Sequence, residues 1–111
     1  PLMYKKRFKN KINVLVSKNR WLGSVDVKMN NSNAFLLFDD VYQHRKVITD
    51  FSIITTPFND LFVDDMLLPA GRLREPKKNV NRASCILVTR CPESMSQDKI
   101  THIKNKLSEF D

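Results

Sequence analysis

"LLFDDVYQHR", residues 36–45, decides how this chain is read. An apolar run ends there in two adjacent carboxylates, Asp39 and Asp40, and the next few residues add an amide, an imidazole and a guanidinium in Gln43, His44 and Arg45. A strand end needs at most an acid to cap the following turn, so the polar density asks for a chemical reason. Nucleotide hydrolases and kinases hold Mg²⁺ on an acid delivered by a hydrophobic strand, because open parallel sheets bind ligands beyond the carboxyl ends of their strands. "AFLLFDD", residues 34–40, has that form, and a simple capping acid is the alternative that this stretch alone leaves open.

Working outward, "KINVLV" (11–16), "AFLLF" (34–38), "FSIITT" (51–56) and "CILVT" (85–89) read as four strands. Their near-continuous apolar character points to strands covered on both faces, as in an α/β fold with a mostly parallel sheet flanked by helices. Ile100, Ile103, Leu107 and Phe110 recur at helical spacing, with Pro92 ahead of them and Ser94 and Gln97 spaced as a capping box. "LMYKKRF" (2–8) reads as the end of an amphipathic helix, and "NNSN" (30–33) as a turn. Residues 57–76 carry three of the five prolines and one of the two glycines, and lack regular periodicity. A connection that long inside a compact domain is often functional.

The 111 residues, 41% of them hydrophobic, suit one domain or part of one. No apolar stretch approaches the roughly 20 residues needed to span a bilayer. The net charge of +7 is local, since seven of the 19 Lys and Arg fall in the first twenty residues and no acid precedes Asp26. Such a stretch is either a solvated face or a surface for phosphates and anionic membranes. No RNP-like or Arg-Gly pattern supports nucleic acid as a partner. Cys85 and Cys91 have neither CxxC spacing nor metal-like companions, and are expected to be reduced and structural.

Mg²⁺ chemistry on a nucleotide also needs a glycine-rich phosphate cradle with its lysine. Gly23 and Gly71 are the only glycines, and neither sits in such a motif. A second constellation is "LLPAGRLREP" (67–76), where Arg72, Arg74 and Glu75 project from a proline-bounded loop. Guanidinium forks suit phosphate or carboxylate, and an ordinary surface ion pair is the other reading.

In their order and spacing "DDVYQHR", "LLPAGRLREP" and "ILVTR" (86–90) resemble the tetraacyldisaccharide 4'-kinases, the lipid A 4'-kinases of Gram-negative bacteria, and "DDMLLPAGRLREP" with "TRCP" is most similar to the Bacteroidetes branch. The resemblance runs from about Pro1 to about Glu93. It implies a P-loop-kinase-like fold, of which residues 1–111 would be a single partial domain, an internal fragment lacking the upstream phosphate loop and the downstream region. Such a fragment alone would be inactive.

The resemblance implies further that Asp39 and Asp40 organise Mg²⁺ and the phosphates of ATP, and that Gln43 and His44 hold the adjoining loop, His44 counting with the catalytic set. Arg20 would offset charge on the transferred phosphoryl group. Arg74 and Glu75 would line the cleft for substrate or nucleotide. Val41 stands where the family usually has Gly, and if that position takes positive φ a β-branched residue would strain the turn. The implied reaction is transfer of the ATP γ-phosphate to the 4'-hydroxyl of an anionic glycolipid, tetraacyldisaccharide 1-phosphate. The implied place is the cytoplasmic face of the inner membrane, with peripheral attachment and no protein partner inferred. The alternative is a non-catalytic remnant or binding module of the same fold.

Overall fold

The structure, a computed structural model, describes residues 1–110. They form two compact units, Pro1–Ile48 and the residues from Thr49 onward.

In the first unit, helix α1 (Leu2–Phe8) carries Lys5, Lys6 and Arg7 in its last turn, where cations complement the helix dipole. Helix α2 (Arg20–Asn30) starts at Asn19, whose side-chain oxygen accepts from the Leu22 backbone N–H at 3.1 Å. It ends where expected: Asn31 Oδ1 accepts from the backbone N–H of Asn33 at 3.2 Å, an Asx-type turn.

The second unit holds the sheet. Strands β1 (Ile53–Pro57) and β2 (Cys85–Thr89) run parallel, with Ile53 opposite Cys85 and Pro57 opposite Thr89. Helix α3 (Gln97–Leu107) follows, and a 3₁₀ turn over Ser108–Phe110 closes it. Ile100, Ile103 and Leu107, with Phe110 in the closing turn, are half-buried, as their spacing predicts, and so is Lys106. Phe110 meets Phe62 edge to face with ring centroids 5.7 Å apart, and Lys106 bonds both carboxylate oxygens of Asp64 at 2.8 Å. The buried centre is Thr56, Leu61 and Val80.

Three expectations change. Residues 11–16 and 34–38 are not strands among the described residues: Lys11 ends a 3₁₀ turn, and the rest is irregular or extended backbone with no ladder partner. A strand exists only through the hydrogen bonds of its neighbour, which periodicity cannot supply. The sheet is also not covered on both faces. Ile53 and Leu87 are about half exposed, 52% and 50%, while Thr56 beside them is buried, so the two strands alternate. Finally, α3 has no Ser94 capping box; its N-cap is Ser96, without a side-chain capping bond.

The long connection after β1 is irregular but internally tied. A 3₁₀ turn covers Phe62–Asp64, and Leu67 bridges Leu73 in parallel. Thr56 Oγ1 accepts from the Phe62 backbone N–H at 2.9 Å, fixing the start of the connection to the strand.

Candidate functional site

The acid pair follows the apolar run 34–38, which is neither helix nor strand. Asp40 takes a left-handed backbone conformation with φ 52, a region in which Asp is among the better tolerated side chains. Val41 is not among the residues with positive φ. The strain expected at Val41 is therefore absent, because the left-handed residue of this turn is the acid before it. The turn then closes through the His44 backbone N–H, which donates to the Val41 carbonyl at 2.7 Å. Gln43 Nε2 donates to the Asp40 carbonyl at 3.3 Å, so its amide ties the loop to the acid pair.

Asp39 is held from a distant part of the chain. The Tyr4 hydroxyl, on α1, donates to Asp39 Oδ2 at 2.9 Å. That hydrogen bond and the carboxylate's charge push the Tyr4 phenol above its ordinary pKa. Among the described residues no three His, Cys, Asp or Glu side chains cluster as a metal cage. Two carboxylates without a third ligand fit Mg²⁺, which keeps several waters and is bound through one or two carboxylates plus substrate phosphates.

Beside this turn lies an open cleft of about 360 Å³. Lys18, Arg20, Trp21, Gln43, His44, Arg45 and Lys46 contribute to its wall, and no carboxylate does. Arg20 enters as the first residue of α2, and its guanidinium donates to the Ser17 carbonyl. A wall with four cationic side chains and no acid attracts anions. The structure thus brings Arg20, Gln43 and His44 into one cleft, whereas Asp39 and Asp40 are not in its lining.

Arg74 and Glu75 belong to the second unit. Glu75 Oε2 accepts from Arg82 at 2.5 Å and from Asn79 at 2.7 Å. Arg72, which the sequence left as either a fork for an outside anion or a member of an ordinary surface ion pair, is engaged internally, by Asp60 at 2.5 Å and Asp65 at 3.0 Å. The Arg72 hydrogen bond holds the Asp60 carboxyl below its ordinary pKa, and the Met66 backbone N–H, with help from Arg72, does the same for Asp65. A second open cleft of about 360 Å³ lies in this unit between α3 and residues 58–64.

Sequence reasoning missed Tyr4, and it missed Lys18, Trp21 and Lys46 as cleft neighbours. Trp21, the chain's single tryptophan beside Arg20, was the signal available for the cleft. No local pattern could reveal a bond between residues 35 positions apart.

These elements define an α/β protein with a parallel strand pair and an acid-rich turn after an apolar run. A family model described as tetraacyldisaccharide-1-P 4'-kinase matches residues 1–110, and the chain belongs to that family. It is 39% identical over 108 residues to a tetraacyldisaccharide 4'-kinase of Flavobacterium johnsoniae, covering 96% of this chain and 32% of that protein. To the protein of the same description in Flavobacterium psychrophilum it is 40% identical, covering 99% of this chain and 32% of the relative. Its identity to the Bacteroides fragilis protein so described is 43% over 75 residues, 68% of this chain and 20% of the relative. The chain spans about a third of the length of the Flavobacterium relatives (32%). No solved structure matches it. The resemblance read from the three motifs holds, with relatives from the branch that the loop sequence indicated.

Proposed function

We propose that the protein containing these residues is an ATP-dependent kinase that phosphorylates the 4'-hydroxyl of tetraacyldisaccharide 1-phosphate in lipid A biosynthesis. The family match over residues 1–110 carries this reading. Residues 1–111 form part of one P-loop-kinase-like domain, and the glycine-rich cradle belongs to the remaining length that the relatives possess. The enzyme works as a peripheral protein at the cytoplasmic face of the inner membrane. No described helix is long and apolar enough to cross a membrane.

ATP with Mg²⁺ supplies the phosphoryl group and offsets its charge. Asp39 and Asp40 would hold the cation from the turn that follows the apolar run 34–38. Arg20, on the first turn of α2, faces developing charge on the transferred group, where a preoriented cation lowers the barrier. Lys18 and Lys46 extend the anion-attracting wall around it. Gln43 and His44 keep the loop that carries the acids in shape; the amide bond to the Asp40 carbonyl and the Val41 to His44 turn support that role. Arg74 and Glu75 are assigned to contact with substrate or nucleotide, Glu75 being held within its own unit by Arg82 and Asn79.

The test is phosphorylation of the disaccharide 1-phosphate lipid by the full-length protein. Asp40→Ala is expected to lower turnover by about two orders of magnitude or more. Near-normal turnover in that variant overturns the metal assignment. No activity in the wild-type protein, with ATP still bound, favours the non-catalytic binding module.

A further inference from the structure

The contact between α1 and the acid pair supplies a residue that the three motifs do not contain. Tyr4 precedes Asp39 by 35 residues, and its hydroxyl reaches Oδ2 at 2.9 Å. We propose that Tyr4 is a positioning residue: it fixes the Asp39 carboxylate so that the other oxygen is presented to a divalent cation. This deepens the kinase reading and rests on the acid pair being the metal site.

Three features support the assignment. Asp39 is exposed, so its carboxylate has no packing to select one rotamer; a hydrogen bond to a charged acceptor from a stiff side chain on a helix does that instead. Oδ1 of Asp39 takes no hydrogen bond from the described residues, which leaves it available to a ligand. The chemistry of the donor also matters. α1 carries Lys5, Lys6 and Arg7, yet the group that meets Asp39 is the neutral phenol of Tyr4. A lysine there would compete with the cation for the carboxylate, whereas a phenol orients it and leaves its charge intact. Partners of this kind orient metal ligands, and their loss typically weakens metal binding.

The experiment uses the full-length protein with a non-hydrolysable ATP analogue and Mn²⁺ as the probe, free Mn²⁺ being read by its paramagnetic resonance signal. Tyr4→Phe is expected to weaken Mn²⁺ binding by about tenfold, while thermal unfolding stays at the wild-type temperature. In Tyr4→Phe/Asp39→Asn the affinity should equal that of Asp39→Asn alone, because the hydroxyl acts only through Asp39. Wild-type affinity in Tyr4→Phe, with binding lost in Asp39→Asn, overturns the role of Tyr4 and leaves the acid pair as the metal site. Additive losses in the double variant point to a general structural effect and overturn it too. If neither Asp39→Asn nor Asp40→Asn changes Mn²⁺ binding, the acid-pair reading itself fails, and the proposal with it.

Discussion

Gly71 lies so close to Asp65 that no side chain fits between them: a Cβ on Gly71 would collide with Asp65 Oδ1 and with the Met66 backbone oxygen. The same Oδ1 accepts the backbone N–H groups of Met66 at 2.8 Å and Arg72 at 3.2 Å, so one carboxylate oxygen gathers the loop around the glycine. No glycine among the described residues has positive φ, and the need at position 71 is for space.

Gly71→Ala should therefore destabilise the protein by about 1–3 kcal/mol, the usual cost of overpacking. Urea denaturation measures it. An unchanged midpoint would mean that the loop backs away from Met66 without cost.

Arg72 links Asp60 and Asp65, and both carboxyls titrate below their ordinary range. Depressed carboxylate pKa values stabilise the fold above the unfolded value, near about 4, and that stabilisation is lost as pH falls through the lower folded values. Arg72→Gln should thus be less stable than wild type at pH 7, with the difference shrinking in acid. Part of the acid dependence should survive in the variant, because Asp65 keeps its bond from Met66. Thermal unfolding across pH 2 to 7 checks this, and a gap independent of pH contradicts it.

Thr56 is 1% exposed, and its hydroxyl oxygen is the acceptor for the Phe62 N–H. Thr56→Val keeps the shape and orphans that donor, at an expected cost of about 1–3 kcal/mol. Thr56→Ser, which keeps the oxygen, should retain the bond. Amide exchange at Phe62, faster in the valine variant and protected in the serine one, distinguishes this local effect from general loosening.

Lys5, Lys6, Arg7 and Lys9 form an exposed basic group on and just after α1. Replacing all four by Gln in the full-length protein should weaken adsorption to anionic vesicles, each charge contributing about 1 kcal/mol near the surface. The loss should be greatest at low salt. Co-sedimentation measures it, and binding that stays the same assigns the charge to a solvated face.

The last helix and the Asn-rich turn were legible because each depends on neighbours in sequence, whereas the two strands that pair were legible only as apolar, β-branched runs. β2 occupies the residues read as a strand, 85–89, and β1 runs over Ile53–Pro57, close to the predicted 51–56. The runs at 11–16 and 34–38 looked as strand-like. Phe35 and Leu37 are 92% and 89% exposed, and nothing in their own residues says whether a partner strand lies beside them. Motif order in the sequence was enough to identify the family, since "LLPAGRLREP" is long and its place between "DDVYQHR" and "ILVTR" is read without reference to contacts.

Contacts across the chain needed the tertiary structure. Sequence placed Asp39 and Asp40 side by side and put Arg72 in a loop with two other charged residues; it could not show that Tyr4 reaches Asp39, or that Arg72 is already held by Asp60 and Asp65. It located a glycine exception at Val41, while the backbone puts the left-handed residue one position earlier, at Asp40. Propensity and spacing act over a few residues and are written in the chain itself. Hydrogen bonds between residues 12 or 35 positions apart depend on how the backbone returns on itself, and only the folded chain decides that.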